Sequence, residues 1–152
     1  MIKFEIYSEN YLMYSWKWLN DPEIKFLTVT GDFTQDDQIK WFETLKDKSD
    51  YKIWGVSYNA IPIGVFGIKN IDWIAKKGEY WGYIGEKEFH GKGLGSEILQ
   101  KTVEKSVNEL FLEKLYLKVL RENIVAINLY KKFGFLEIET RGNQVFMEKY
   151  LI

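Results

Sequence analysis

The feature that most constrains this sequence is a glycine-rich turn that leads directly into a long amphipathic helix. The turn is His90-Gly91-Lys92-Gly93-Leu94-Gly95, and it follows an aromatic, β-like run from Gly78 to Ile84. The helix is indicated by apolar residues at helical spacing: Leu94, Ile98, Leu99, Val103, Val107, Leu110 and Phe111. The sequence therefore predicts a strand, a glycine turn and a helix in succession.

The start of this helix is predicted to bind an anion, above all a phosphate. The first backbone N–H groups of a helix have no partner within it, and the helix dipole is positive at that end. Glycine lets the backbone approach a ligand closely, and Lys92 adds a cation. No GxxxxGK[ST] motif is present, and the spacing is not that of a dinucleotide-binding GxGxxG motif. A glycine-rich turn that holds no ligand is the alternative.

Composition excludes several classes of protein. The 152 residues suit one domain, 1–152, and the net charge of −1 argues against a nucleic-acid partner. Without cysteine there is no disulfide, thiolate metal site or cysteine nucleophile, and the single histidine, His90, cannot build a metal site or a Ser–His–Asp triad. No segment is apolar enough for a membrane span or a signal peptide. We expect a soluble cytoplasmic protein with neither a metal nor a membrane partner.

Hydrophobic periodicity and capping signals predict most elements of the chain. Thr34 and Asp37 form a capping box for a helix that would bury Ile39, Phe42 and Leu45, and Asn59-Ala60 predicts a hairpin turn. The predicted strands are 1–7, 51–58, 61–69, 78–84, 115–120, 135–140 and 144–150, and the predicted helices are 11–19, 34–46, 94–111 and 124–133, with a further turn at 22–25.

The predicted order of elements indicates an α/β (α+β) fold. The single domain would have a mixed, mostly antiparallel sheet of about seven strands with four helices. The strand before the glycine turn, the long helix and the strand 115–120 imply a right-handed crossover, so those two strands should pair in parallel.

Two segments carry the resemblance to a known family. The run from Gly82 to Gly95 resembles motif A of the GNAT superfamily of acyl-CoA-dependent N-acyltransferases, Q/R-x-x-G-x-G/A, with glycines matching at 93 and 95 and His90 in place of Gln or Arg. The run from Asn123 to Phe135 is similar to motif B, N-x-x-A-x-x-L-Y-x-x-x-G-F, at every defined position. Together they span roughly residues 78–140.

The resemblance implies acetyl-CoA as cosubstrate and a direct attack by an amine. Its diphosphate would lie on residues 90–96, and its pantetheine arm between two strands that splay apart near Ile84 and Leu120. Gly82 and Gly85 would let the first of these strands bulge. The cofactor-binding residues so implied are Tyr83, Ile84, Gly85, His90, Gly91, Lys92, Gly93, Leu94, Gly95, Ser96 and Asn123. Asn123 could equally be only the N-cap of the second motif's helix.

Acyl transfer from a thioester needs a neutral amine and a proton for the departing thiolate. Tyr130 matches the family position whose phenol protonates the sulfur of coenzyme A; the alternative is a core aromatic. Glu79 matches a carboxylate that in related enzymes relays a proton through water; the alternative is a solvated strand residue.

The acceptor is expected to be a small-molecule amine bound by the first two helices, the loop 27–33 and the connection 70–77. These segments carry the aromatic residues Trp16, Trp18, Phe33, Trp41 and Trp73. Trp18-Leu-Asn-Asp-Pro-Glu-Ile and the run from Tyr83 to Gly93 are similar to the branch of ribosomal-protein N-terminal and aminosugar-nucleotide N-acetyltransferases, which favours an aminosugar nucleotide.

Other functions stay open at this stage. A polyamine acceptor would need acidic groups, and the candidates are Asp32, Asp36, Asp37 and Glu43. Protein N-terminal acetylation, a non-catalytic acyl-CoA-binding module and a domain without a ligand are further alternatives. A homodimer is allowed but not required by the sequence.

Overall fold

The computed structural model describes residues 1–151, and within them it contains seven strands and five α-helices. The strands are β1 (Ile2–Ile6), β2 (Lys52–Tyr58), β3 (Ile61–Asp72), β4 (Lys77–Ile84), β5 (Lys114–Leu120), β6 (Leu136–Arg141) and β7 (Gln144–Tyr150). The helices are α1 (Glu9–Leu19), α2 (Pro22–Leu27), α3 (Gln35–Thr44), α4 (Leu94–Asn108) and α5 (Ile124–Lys132). No helix in this part of the chain is both long and apolar enough to cross a membrane.

All the strands form one mixed sheet in the order β1-β2-β3-β4-β5-β7-β6. Every neighbouring pair is antiparallel except β4 and β5, which are parallel. That parallel pairing joins Lys77–Glu79 to Lys114–Tyr116 and goes no further. Beyond Glu79 the two strands diverge, so the expected fold class and the expected V-shaped splay are both confirmed.

The prediction of four helices was wrong because α2 is a separate helix. Asp21 adopts an extended conformation, and its side chain accepts hydrogen bonds from the backbone N–H groups of Glu23 and Ile24. Pro22 occupies the first helical position, where its missing N–H costs nothing. An N-cap followed by proline is therefore enough to restart the helix after α1 ends at Leu19.

Buried side chains form two clusters on opposite faces of the sheet. Phe66 and Tyr80 belong to the cluster that includes α4 and α5, whereas their neighbours Val65 and Trp81 belong to the cluster that includes α1 and α3. Because successive side chains of a strand point to opposite faces, this alternation separates the two cores. The divergence of β4 from β5 opens a passage between the two faces.

Three apolar residues of the predicted helical patterns are exposed. Ile39, which was predicted to be buried, is 47% exposed because α3 turns Gln38 inward instead. The long helix α4 ends at Asn108, and Val107 in its last turn is 37% exposed. Phe111 follows in a left-handed conformation, φ 56°, and is 71% exposed. The periodic pattern was therefore right for α4 but overran the end of the helix.

Candidate active site

A cleft of about 1340 Å³ runs through the splay between β4 and β5. One side of the cleft is formed by the start of α4 and by α5. The other side is formed by α1, α2, α3 and the β4 side chains that point toward them. The cleft therefore connects the glycine turn to the aromatic N-terminal part of the chain.

The start of α4 offers backbone N–H groups to this cleft. Its N-cap is Gly93, φ 78°, which has no side chain to bond the first N–H groups. By contrast α2, α3 and α5 are capped by the side chains of Asp21, Thr34 and Asn123. The positions where Cβ atoms would stand on Gly91 and Gly93 have nothing within 4 Å. The space beside Gly91 and Gly93 is therefore open at the start of α4.

Most of the predicted cofactor-binding residues line the cleft. They are Tyr83, Ile84, His90, Gly91, Gly93, Leu94, Gly95, Ser96 and Asn123. Lys92 is exposed and is not part of the lining. Gly85 lies outside the lining too, because it is buried against the ring of Trp18, 2.1 Å from where its Cβ would stand. Gly85 therefore lacks a side chain at a position where one would collide with a tryptophan.

Of the two glycines expected to let β4 bulge, Gly85 lies at an irregularity and Gly82 does not. The β3–β4 register is regular from Glu79 to Ile84. Directly after it, the N–H groups of Gly85 and Glu86 both donate to the backbone oxygen of Ile63, at 2.6 and 3.2 Å, which is the two-against-one pattern of a bulge. Gly82 is required for another reason: a Cβ there would lie 2.1 Å from the ring of Phe66.

His90 and Asn123 both make hydrogen bonds within the protein. The Nε2 atom of His90 lies 2.7 Å from the backbone oxygen of Ile84. Because that oxygen only accepts, Nε2 carries the proton, and the bond ties the glycine turn to the end of β4. Asn123 accepts from the N–H of Ala126 at 3.3 Å, which confirms its role as the N-cap of α5.

The end of β4 is also tied to α1 and α2. The indole N–H of Trp18 donates to a carboxylate oxygen of Glu86 at 2.9 Å. The Lys87 ammonium lies 2.7 Å from Oδ2 of Asp21, while Oδ1 of the same carboxylate caps α2. This ion pair holds the pKa of Lys87 above its usual value. We call the Asp21–Lys87 ion pair the α2 latch, because it fixes the start of α2 against the residues that precede the glycine turn.

Glu79 is a buried carboxylate at the vertex of the splay. It is 5% exposed and is the last β4 residue that pairs with β5. Its Oε1 accepts from the amide of Asn70 at 3.1 Å. Its Oε2 lies 3.9 Å from the ammonium of Lys69 and 3.8 Å from that of Lys118. The structure therefore excludes the alternative of a solvated strand residue, and Glu79 lines the cleft.

Tyr130 lies across the splay from the N-terminal helices, on α5. Its ring meets that of Tyr80 edge to face, with centroids 6.0 Å apart and planes at 82°. Burial raises the pKa of Tyr130 to about 12. Its phenol therefore stays neutral near pH 7 and retains a proton to donate. Tyr130 lines the cleft together with Ser96 and Asn123.

Hydroxyl groups line the other side of the cleft; those of Tyr7 and Ser15 were not singled out by the sequence, whereas Tyr83 was expected to bind the cofactor. Ser15 donates to the backbone oxygen of Tyr11 at 2.8 Å, so the phenol of Tyr7, 2.8 Å from the same Oγ, must be a donor to Ser15. Burial, opposed in part by the Ser15 hydrogen bond, raises the pKa of Tyr7 to about 12, and burial likewise raises the pKa of Tyr83. The alternation of Glu79 and Tyr83 along β4 was the signal that places both on one face.

The residues predicted for acceptor binding divide between the cleft and the rest of the surface. Phe33 and Trp41 line the cleft, as do residues 27–30. The others do not. Trp16 packs edge-on against Phe33, Trp18 is buried, and the indole N–H of Trp73 donates to the backbone oxygen of Ser49. The connection 70–77 does not line the cleft, although Asn70 donates to Glu79, which does.

The charged lining differs from the predicted acidic set as well. Of that set only Asp37 lines the cleft, and Asp32 instead pairs with Lys25 at 2.6 Å. Glu23 of α2 joins Asp37 and Glu79 in the lining. In the described residues, 1–151, no group of three or more His, Asp or Glu side chains could hold a metal ion.

Two curated relatives are similar to a large part of the chain. A probable spermine N(1)-acetyltransferase of Bacillus subtilis subsp. natto is 29% identical over 115 residues, which cover 70% of this chain and 76% of that protein. An N-alpha-acetyltransferase of Sulfurisphaera tokodaii is 32% identical over 91 residues, which cover 59% of this chain and 54% of that protein.

Solved structures share the fold at low sequence identity. Spermidine N-acetyltransferase from Vibrio cholerae, in complex with CoA and spermine, matches with a TM-score of 0.87 and 20% identity over 97% of this chain and 92% of that one. Campylobacter jejuni N-acetyltransferase PseH, in complex with acetyl coenzyme A, matches with a TM-score of 0.78 and 18% identity over 99% of both. These likenesses establish the fold alone.

A family match extends the resemblance well beyond the two sequence motifs. The family described as Acetyltransferase (GNAT) family matches residues 11–135, so it includes α1 to α3 as well as both motifs. The expected family is therefore confirmed. The chain belongs to the GNAT family and is an acetyltransferase.

Proposed function

We propose that this acetyltransferase transfers the acetyl group of acetyl-CoA to a primary amine of a polyamine such as spermine or spermidine. The observation that carries the proposal is the position of Glu79, a buried carboxylate where the cleft passes from the α4 side to the aromatic side. The relative named for spermine acetylation, which covers 70% of this chain, supports a polyamine over the aminosugar nucleotide favoured by the sequence.

Acetyl-CoA would bind on the α4 side of the cleft. The free N–H groups of Leu94, Gly95 and Ser96 would hold its diphosphate, since Gly93 leaves them without a side-chain cap. The edge of β4 that faces away from β3 is unpaired from Tyr80 to Ile84. That edge would accept the amides of the pantetheine arm, which brings the thioester toward the vertex of the splay.

The reaction then needs one side chain to accept a proton and another to donate one. Glu79, directly or through a water molecule, takes a proton from the acceptor ammonium, whose pKa is about 10.4 for a lysine-like amine. The neutral nitrogen bonds to the acetyl carbonyl carbon, the carbon–sulfur bond breaks, and the nitrogen loses its second proton to solvent. Tyr130 donates its phenolic proton to the departing sulfur and recovers a proton from solvent, while Glu79 releases the proton it took. The products are an acetamide and free coenzyme A.

Charges around the cleft favour a cationic acceptor over an anionic one only modestly. The acidic groups Glu23, Asp37 and Glu79 line the N-terminal side, against Lys69 and Lys118. Both lysines lie within 4 Å of Glu79, which compensates part of their charge. Glu23 and Asp37 have partners as well: Oε2 of Glu23 lies 3.8 Å from the Lys87 ammonium, and Oδ2 of Asp37 accepts from the N–H of Thr34. They therefore add only a weak attraction for the distant ammonium groups of a long amine.

A panel of amines with acetyl-CoA tests the acceptor class. Free-thiol release should give the highest kcat/KM with spermine or spermidine, and lower values with a nucleotide-linked aminosugar and with peptides that have a free N-terminus. Turnover of the aminosugar or of a peptide without turnover of polyamines would refute the polyamine assignment and leave the family assignment intact.

Replacing the buried carboxylate tests the proposed base. Glu79→Gln keeps the shape and the Asn70 contact but cannot accept a proton, so kcat/KM for the amine should fall roughly 100-fold. Glu113→Gln is the matched control, because Glu113 pairs with Lys76 at 3.6 Å on the exposed surface, and it should leave kcat/KM unchanged. Equal values for the two variants would remove Glu79 from the reaction.

A further inference from the structure

Four aromatic rings form a continuous row on the N-terminal side of the cleft. Tyr7 and Trp41 have ring centroids 6.0 Å apart with planes at 77°. Trp41 and Tyr51 are 6.4 Å apart at 74°, and Tyr51 and Trp81 are 6.0 Å apart at 57°. Successive rings steeply inclined to one another form adjoining walls rather than a stack. All four line the cleft, and we call them the aromatic box.

The box is assembled from four separate parts of the chain beside Glu79. Trp81 stands two residues after Glu79 on β4, so both side chains point to the same face of the sheet. Tyr51 precedes β2, Trp41 is on α3, and Tyr7 follows β1. Glu79 is close enough to contribute to the raised pKa of Tyr51, although burial is the larger cause.

We infer that the aromatic box binds a second, non-reacting ammonium group of the acceptor while the amine to be acetylated lies at Glu79. This inference rests on the proposed function, which it extends from an acceptor class to a subsite. The faces of Trp, Tyr and Phe rings attract cations through their quadrupole, Trp most strongly. A neutral group of the same size gains no such attraction, so the box selects for charge at the far end of the acceptor.

A cation already lies against one ring from outside the cleft. The Lys48 ammonium is 5.2 Å from the centroid of Tyr51, yet Lys48 does not line the cleft. Because the Lys48 ammonium already interacts with the Tyr51 ring, that ring should attract a second cation less strongly. Trp41 and Trp81 should therefore contribute more than Tyr51 to the selectivity of the box. Trp41 is the better site for a test, since Trp81 also packs over Gly67, whose Cβ position is 2.9 Å from the indole nitrogen.

The test compares 1,4-diaminobutane with 4-aminobutan-1-ol, two acceptors of equal length. Both offer a primary amine, but only the diamine carries a cation at its far end. Wild-type protein should prefer the diamine in kcat/KM. Trp41→Leu should reduce that preference by about 2- to 30-fold, which is the range of cation–π attraction from exposed to desolvated sites. A preference that survives Trp41→Leu unchanged would overturn the inference.

Two further variants separate the box from general packing. Trp54→Leu removes a half-buried tryptophan that packs 5.7 Å from Phe4 outside the cleft, so it should leave the preference unchanged. Trp41→Phe keeps a ring in case the leucine variant fails to fold, and it should lose only part of the preference. A loss of preference in Trp54→Leu equal to that in Trp41→Leu would count against the box.

Calorimetry with spermidine and no acetyl-CoA distinguishes failure of the subsite from failure of the proposed function. If Trp41→Leu weakens the binding of spermidine and no polyamine is turned over, the box is supported and the proposal of a polyamine acceptor is refuted. Turnover of polyamines with equal spermidine affinity in wild type and Trp41→Leu would refute the box alone.

Discussion

The two sides of Glu79 are built in different ways. On the α4 side the proposed ligand contacts are backbone groups from consecutive residues, Leu94 to Ser96, and glycine supplies the space around them. On the N-terminal side the contacts are side chains contributed by α1, α2, α3 and β4. A backbone site tolerates few changes in chain conformation, whereas a side-chain site can change its specificity one residue at a time. The first side suits an invariant cosubstrate and the second an acceptor.

The largest catalytic effect on the α4 side is expected for Tyr130→Phe. Loss of the proton donor should lower kcat about 10- to 100-fold with little change in either KM, because a thiol of pKa about 8.5 needs only moderate assistance to leave. Burial holds the pKa of Tyr130 near 12, so the phenol keeps its proton and the effect should be constant from pH 7 to 10. Tyr150→Phe, on the exposed face of β7, is the control. An unchanged kcat would leave Tyr130 as a packing partner of Tyr80.

A second prediction concerns the backbone site and uses two glycines of similar conformation. Gly93 and Gly142 have φ of 78° and 58°, and neither has an atom within 4 Å of its Cβ position. Valine at either position should cost about 1–2 kcal/mol of unfolding free energy through backbone strain. Gly93→Val should in addition raise KM for acetyl-CoA roughly tenfold, or about 1.4 kcal/mol, whereas Gly142→Val, in the β6–β7 turn, should leave it unchanged.

Thermal unfolding and initial rates with varied acetyl-CoA measure both effects. Equal KM values for the two valine variants would mean that the diphosphate is held elsewhere. A rise in KM with Gly142→Val as well would mean that KM follows global stability rather than the contacts at α4.

The same contrast explains what could be predicted from sequence. The α4 side is encoded by adjacent residues, so the glycine turn, the helix and the motif around Tyr130 were identified without coordinates. The aromatic box requires Tyr7, Trp41 and Tyr51 to converge from segments far apart in the chain, and no local pattern records that. Alternation along β4 could have grouped Trp81 with Glu79, but it could not supply their partners.

The errors in the fold have local physical causes. Hydrophobic period does not mark where a helix ends, so α4 was extended to Phe111, where a left-handed residue reverses the chain. Gly85 was assigned to the ligand because its motif position suggested a close approach of coenzyme A; the close approach that the structure shows at its Cβ position is that of Trp18, and the assignment to the ligand stays a prediction. A glycine pattern thus indicates a nearby atom without saying which atom it is.

The α2 latch couples the two sides, and removing it should have a smaller effect. Asn at position 21 can still cap α2 through its side-chain oxygen but offers no carboxylate to Lys87. Asp21→Asn and Lys87→Met should therefore each raise KM for both substrates about two- to fivefold, in keeping with an exposed ion pair. The double variant should be no worse than either single one. Additive effects, or a change confined to one substrate, would show that the pair does not couple the two sides.

The smallest effect on the site is expected from a change that stabilises the protein far from the cleft. Ala60, in the β2–β3 turn, has φ 69°, a conformation that glycine adopts without strain. Ala60→Gly should raise the unfolding free energy by about 0.5–1 kcal/mol, and Tm by about 1–4 °C. Ala75→Gly, in the β3–β4 turn with a negative φ, should lower Tm instead. Neither variant should alter KM for either substrate, because neither touches the cleft. If KM nonetheless moved with Tm in this pair, the KM changes expected for Gly93→Val and for the α2 latch could no longer be attributed to local contacts.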